Sequence, residues 1–69
     1  MTQKELLYVE DAIGHETTII KVCEDMMKNL EDDSLISFIE EEVEIHEKTK
    51  QNLLDMLEVK SNEWSNING

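Results

Sequence analysis

"NLEDDSL", residues 29–35, decides how this chain folds. Before it, apolar residues recur at Leu6, Val9, Ile13, Ile20, Cys23, Met27 and Leu30. After it they recur at Leu35 or Ile36, Ile39, Val43, Leu53 and Met56 or Leu57. Steps of three and four residues are the mark of a helix with one apolar stripe. Within the quoted stretch the spacing breaks, and Asp32, Asp33 and Ser34 stand together. Short oxygen-bearing side chains accept from the free N–H groups of a starting helix, and negative charge is favoured there. The stretch is therefore a turn between two helices, and the expected fold is all-α: an antiparallel helical hairpin.

Thr2 followed by Glu5 is a capping box, which starts helix one near Gln3. The spacing predicts helix one over about residues 3–30 and helix two over about 33–60, together one domain spanning 1–60. The stretch "SNEWSNING", residues 61–69, reads as a fraying C-terminal tail, although Trp64 and Ile67 continue the three-four spacing and could let it dock.

Both stripes are interrupted halfway. Position 16 of the first is Glu16, and the middle of the second holds Glu42, His46, Thr49 and Lys50. A short turn makes the helices antiparallel neighbours, so residues whose numbers sum to about 62–63 lie side by side. Leu6 then meets Leu57, Val9 meets Leu53, Cys23 meets Ile39, and Glu16 meets His46. The two interruptions fall at one level and predict a polar layer inside an apolar seam. Gly14, costly within a helix by about 1 kcal/mol relative to alanine, is expected to mark a close helix approach at that layer.

Chain length makes company desirable. Sixty-nine residues form at most one domain, and a chain of that size buries only about 60% of its unfolded surface. Cys23 is the single cysteine, so no disulfide can brace the fold, and no Cys/His cluster has structural-zinc spacing. Ile19, Met26, Ile45 and Leu54 flank the stripes and would remain bare on an isolated hairpin. A homodimer forming a ferritin-like four-helix bundle is the expected remedy.

Seventeen acidic residues against six lysines give a formal net charge of −11. Such a surface repels phosphate backbones and anionic lipid, which argues against nucleic acid or a membrane as partner. No apolar run is long enough to span a bilayer, and "MTQKELL" at residues 1–7 lacks a secretory apolar core. A soluble, intracellular protein is expected.

The polar layer admits two uses. Ferritin-like metal centres take a Glu from one helix and Glu-x-x-His from the next. Here the ligands would be Glu16, His46 and Glu42, holding zinc or iron at the dimer core. The carboxylate required at position 43 is replaced by Val43, and Glu42 lies about 100° round the helix, so the usual set is one short. The favoured use is a hydrogen-bonded Glu16–His46 pair that fixes the register of the helices. His15 is expected on the surface in contact with Asp11, Cys23 in the seam as an inert thiol, and Met26 and Met27 as apolar filler. The run "EEEVEIHEK", residues 40–48, presents a solvated acidic face. No nucleophile-base-acid triad or phosphate loop is visible, so no enzyme activity and no cofactor are expected.

The stretches "LLYVEDAIGHE" (residues 6–16) and "LISFIEEEVEIHEKTKQNLLDML" (residues 35–57) resemble the two helices of the coat F family of bacterial spore coat proteins. The likeness covers residues 4–58, with Gly14-His15-Glu16 matching an "NHE"-like element and His46 matching a histidine of the second helix. The chain departs from the family at 47–50, where a second histidine and an aromatic are replaced by Glu47 to Lys50. Any role of that pair does not carry over. The resemblance implies a small ferritin-like helical domain serving as a structural component of the spore coat in a spore-forming bacterium, with other coat proteins as partners and no catalysis.

Overall fold

The computed structural model describes the backbone of residues 1–68 and the side chains of residues 1–59. Two helices, α1 (Gln3–Met27) and α2 (Asp33–Asn68), pack against each other as a hairpin. The capping box is present in full. Thr2 N–H donates to Glu5 Oε1 at 2.8 Å, and Glu5 N–H donates to Thr2 Oγ1 at 3.1 Å. Two N–H groups that the first turn leaves without helical partners are thereby satisfied.

At the turn, α1 ends three residues earlier than its stripe predicts. Asn29 N–H donates to Met26 O at 3.0 Å and Leu30 N–H to Met27 O at 3.4 Å, short-range bonds that tighten the chain out of the α-helix. The Asn29 side-chain amide donates to Asp25 O at 3.2 Å and so satisfies an end carbonyl. Leu30 stays half-buried outside the helix. Asp32 caps α2, its Oδ1 accepting from Leu35 N–H at 3.0 Å, and Asp33 opens the first turn.

The far end corrects a second boundary. The backbone of 61–68 is helical, continuing α2 eight residues beyond the expected stop at 60. Asn and Ser are weak helix formers, yet no proline and no glycine before Gly69 interrupts the run. The docking of Trp64 and Ile67 lies outside the described side chains.

Along the seam, the half-buried and buried side chains are those of the two stripes, Leu6, Val9, Ile13, Glu16, Ile20, Cys23 and Met27 on α1 and Ile36, Ile39, Val43, His46, Lys50, Leu53 and Leu57 on α2, with Ala12 and Glu42 half-buried beside them. Only Ile20 and Ile39, each 9% exposed, are buried among the described residues. Both lie between the polar layer and the turn. A pair of helices cannot close around its own stripe, and the molecule is a rod of 54 × 16 × 13 Å.

Gly14 departs from expectation. A Cβ built there meets nothing within 4 Å, so no neighbouring helix approaches it, and its φ is not positive. Nothing in the structure requires glycine. Gly14→Ala is therefore expected to stabilise the fold by about 1 kcal/mol, raising Tm by roughly 4–8 °C. Thermal unfolding followed by circular dichroism checks this, and a lowered Tm would show that the position is in fact crowded.

Candidate functional site

The register of the hairpin brings Glu16 and His46 together. His46 Nδ1 lies 2.5 Å from Glu16 Oε2, the two side chains being 27% and 17% exposed. With its proton on Nδ1 the imidazole donates to the carboxylate whether or not Nε2 also carries one. A carboxylate withdrawn from water needs such a donor, and no other polar residue of α2 faces it from the seam at this level. Val43 and Lys50 hold the adjoining seam positions on α2, and Ile13 and Ile20 those on α1. The pair is thus a polar rung with apolar residues on either side of it, except at Lys50 on α2.

Glu42, one turn before His46, approaches the other ring nitrogen less closely, with Oε2 4.0 Å from Nε2. The imidazole stands between two carboxylates, one bonded and one near. Thr49 does not join the layer: it is exposed, and its Oγ1 donates to Ile45 O at 3.0 Å. Thr17 and Thr18 likewise turn back on their own helix, to Ile13 O at 2.9 Å and Gly14 O at 3.1 Å. A β-branched hydroxyl in a helix can always reach the carbonyl four residues earlier, and this local bond wins over a longer reach to the layer.

The arrangement can be tested against a metal centre. Ligands sharing a zinc ion each stand about 2.0–2.2 Å from it, which holds their own atoms near or beyond 3 Å apart. Nδ1 and Oε2 are closer than that, at 2.5 Å, so they occupy each other. One chain then has Nε2 and the Glu42 carboxylate left to offer, two donors where a structural site takes four. Among the described residues no group of three or more His, Cys, Asp or Glu side chains is disposed to hold an ion. The three predicted residues are neighbours, and within one chain Glu16 and His46 form a hydrogen-bonded rung with Glu42 beside it.

The remaining candidates stand as follows. His15 Nε2 lies 3.3 Å from Asp11 Oδ2 in an exposed i,i+4 contact, away from the layer. Cys23 is a free, half-buried thiol in the seam. Met27 lines the seam, while Met26 is exposed. Of the run 40–48, Glu40, Glu41, Glu44 and Glu47 point into solvent. No helix among the described residues is long and apolar enough to cross a membrane.

A feature that the stripe analysis understated is the breadth of the exposed apolar surface. Besides Ile19, Met26, Ile45 and Leu54, it includes Tyr8, Val22, Phe38 and Val59, each more than half exposed. The missed signal is a second three-four series, Tyr8, Ala12, Ile19, Val22 and Met26, interrupted by His15 and running one residue ahead of the first.

The fold and its central rung define an all-helical hairpin with a half-buried polar pair across its seam. No family model, curated protein or solved structure matches the chain.

Proposed function

We propose that this chain is a non-enzymatic structural protein that works by association, two hairpins pairing into a four-helix bundle with the Glu16–His46 rung setting the alignment of the helices. The observation that carries this reading is the poverty of the isolated core. Among the described residues two are buried while twelve large apolar residues are exposed, and single cores below about 70–80 residues rarely supply more than 3–5 kcal/mol. A surface of that kind belongs to a protein whose stable form contains more than one copy or chain.

The resemblance of residues 6–16 and 35–57 to coat F proteins gives this role a setting, as a component of the spore coat inside a spore-forming bacterium. The acidic composition and the self-associating rod agree with it. Sedimentation equilibrium of the purified chain is expected to return twice the 8.1 kDa chain mass. A monomer at all concentrations would overturn the reading.

A second reading, a small ferritin-like metal binder, is favoured by one observation: His46 Nε2 and Glu42 are left over in each chain, so two chains could pool four donors around zinc or iron. Elemental analysis separates the readings. The structural role predicts no stoichiometric metal in the purified dimer. One or two ions per dimer, lost in His46→Ala, would establish the alternative.

A further inference from the structure

We infer that one particular side of the hairpin, and not its whole circumference, receives a second copy of this chain, an inference that rests on the associative reading above. Eight members of the exposed apolar set stand one residue before a seam residue, among them Tyr8 before Val9, Ile19 before Ile20, Met26 before Met27, Phe38 before Ile39, Ile45 before His46 and Met56 before Leu57. One residue back is a rotation of about 100° round a helix. In an antiparallel pair that rotation turns both helices' side chains toward the same side. Ten of the twelve exposed large apolar residues fall on this side; Leu7 and Leu54 are the two that do not. On this side Met1, Glu5, Tyr8 and Val9 of the N-terminal end and Met56 of α2 line one shared groove.

The same side is nearly free of charge. Among the described helical residues, Glu5 and Glu42 are the acidic side chains on it, and no lysine joins them. The other acids stud the remaining surface, where a net charge of −11 repels a second copy. A basic partner would be drawn to those acidic sides, leaving the neutral side for an apolar match.

Area and level both favour a copy of the chain itself. The chain exposes 5499 Å², whereas a folded monomer of its mass exposes about 4,500 Å² and a dimer of twice that mass about 7,500 Å². Two hairpins reach the dimer value by burying about 3,500 Å² together, inside the range of about 2,000–5,000 Å² found for obligate dimers. The Glu16–His46 contact sets the level of every other residue. By that measure Tyr8 stands level with Met56, Ile19 with Ile45, and Met26 with Phe38, all three offset by the same two residues. A two-fold axis along the hairpin keeps every residue at its own level, so it brings each of these within two residues, about 3 Å, of its counterpart in the second copy.

The test uses the full chain. Sedimentation equilibrium compares wild type with the double variant Ile19→Glu/Ile45→Glu and with Leu54→Gln on the opposite side. The double variant is expected to weaken self-association at least 100-fold, and Leu54→Gln to leave it within about threefold. Should the double variant fail to fold, hydroxyl-radical labelling of wild type across a concentration series gives the same information. Tyr8, Phe38 and Met56 should become protected as the dimer forms, with Leu7 and Leu54 unchanged. A wild-type dimer whose protection falls on Leu7 and Leu54, or one unaffected by the two charges, overturns the assigned side while sparing the associative reading. A wild-type chain that stays monomeric overturns both.

Discussion

Ile39→Ala is expected to cost about 2–4 kcal/mol, the usual range for removing most of a large aliphatic side chain from a packed site, and to leave the chain largely unfolded at physiological temperature. Ile39 is one of the two best-buried side chains, 9% exposed, and its partner in that respect, Ile20, lies on the same stretch of the seam between the polar rung and the turn. Elsewhere the seam residues are only half-buried, so no second cluster can take over the load. In a domain whose core supplies no more than about 3–5 kcal/mol, the loss approaches the whole margin. Urea titration of the wild type, Ile39→Ala and Leu7→Ala at one protein concentration measures it. Leu7 is 57% exposed, and its truncation should shift stability by no more than about 0.5 kcal/mol. Equal costs at the two positions would mean that the seam between rung and turn is not where the fold is held. Ile39→Val, which keeps the shape and removes one methylene, should cost about 0.5–1.5 kcal/mol and remain folded.

The hairpin was legible because helical periodicity is a strong signal and the turn punctuates it sharply. The stripe from Leu6 to Met27 is the buried stripe of α1, and wherever two α2 residues competed for a seam position, Ile36, Lys50 and Leu57 took it over Leu35, Thr49 and Met56. Periodicity alone leaves such choices open, since neighbours 100° apart can both face a broad seam. The meeting of Glu16 with His46 followed from adding residue numbers across a short turn, and it needed no propensity argument. Helix ends were less legible. Asn29 bonding back to Asp25 O shortens α1, a side-chain choice that the apolar pattern does not encode, while α2 runs on through Ser and Asn because nothing forbids it. Gly14 misled for a related reason: glycine permits close approach but does not demand it. The gathering of exposed apolar residues on one side of the hairpin depends on an offset of one residue from the seam on both helices, which neither stripe shows by itself.

The rung itself should respond asymmetrically to mutation. His46→Leu removes the donor and leaves the Glu16 carboxylate, 17% exposed, facing an apolar seam, at an expected cost of about 1–3 kcal/mol after allowance for its residual access to water. Glu16→Leu leaves instead an imidazole that is 27% exposed and can keep its hydration. The hydrogen bond lost is offset by a newly buried leucine, so stability should stay within about 1 kcal/mol of wild type. Changing both to leucine leaves neither group stranded and is expected to equal or exceed wild-type stability, as replaced buried pairs often do. What the double variant loses is alignment. Because the apolar stripes repeat every seven residues, sliding α2 by seven keeps apolar against apolar except at Lys50 and at the rung, where Glu16 would meet Ile39 or Leu53 and His46 would meet Val9 or Cys23. The polar pair makes those slipped states costly, and two leucines would admit them. Amide spectra should accordingly show one set of peaks for the wild type and several for Glu16→Leu/His46→Leu, despite an unchanged or higher melting temperature. A single clean set from the double variant would take the register function away from the rung, and a Glu16→Leu variant that loses bound metal and melts far lower would give it to an ion instead.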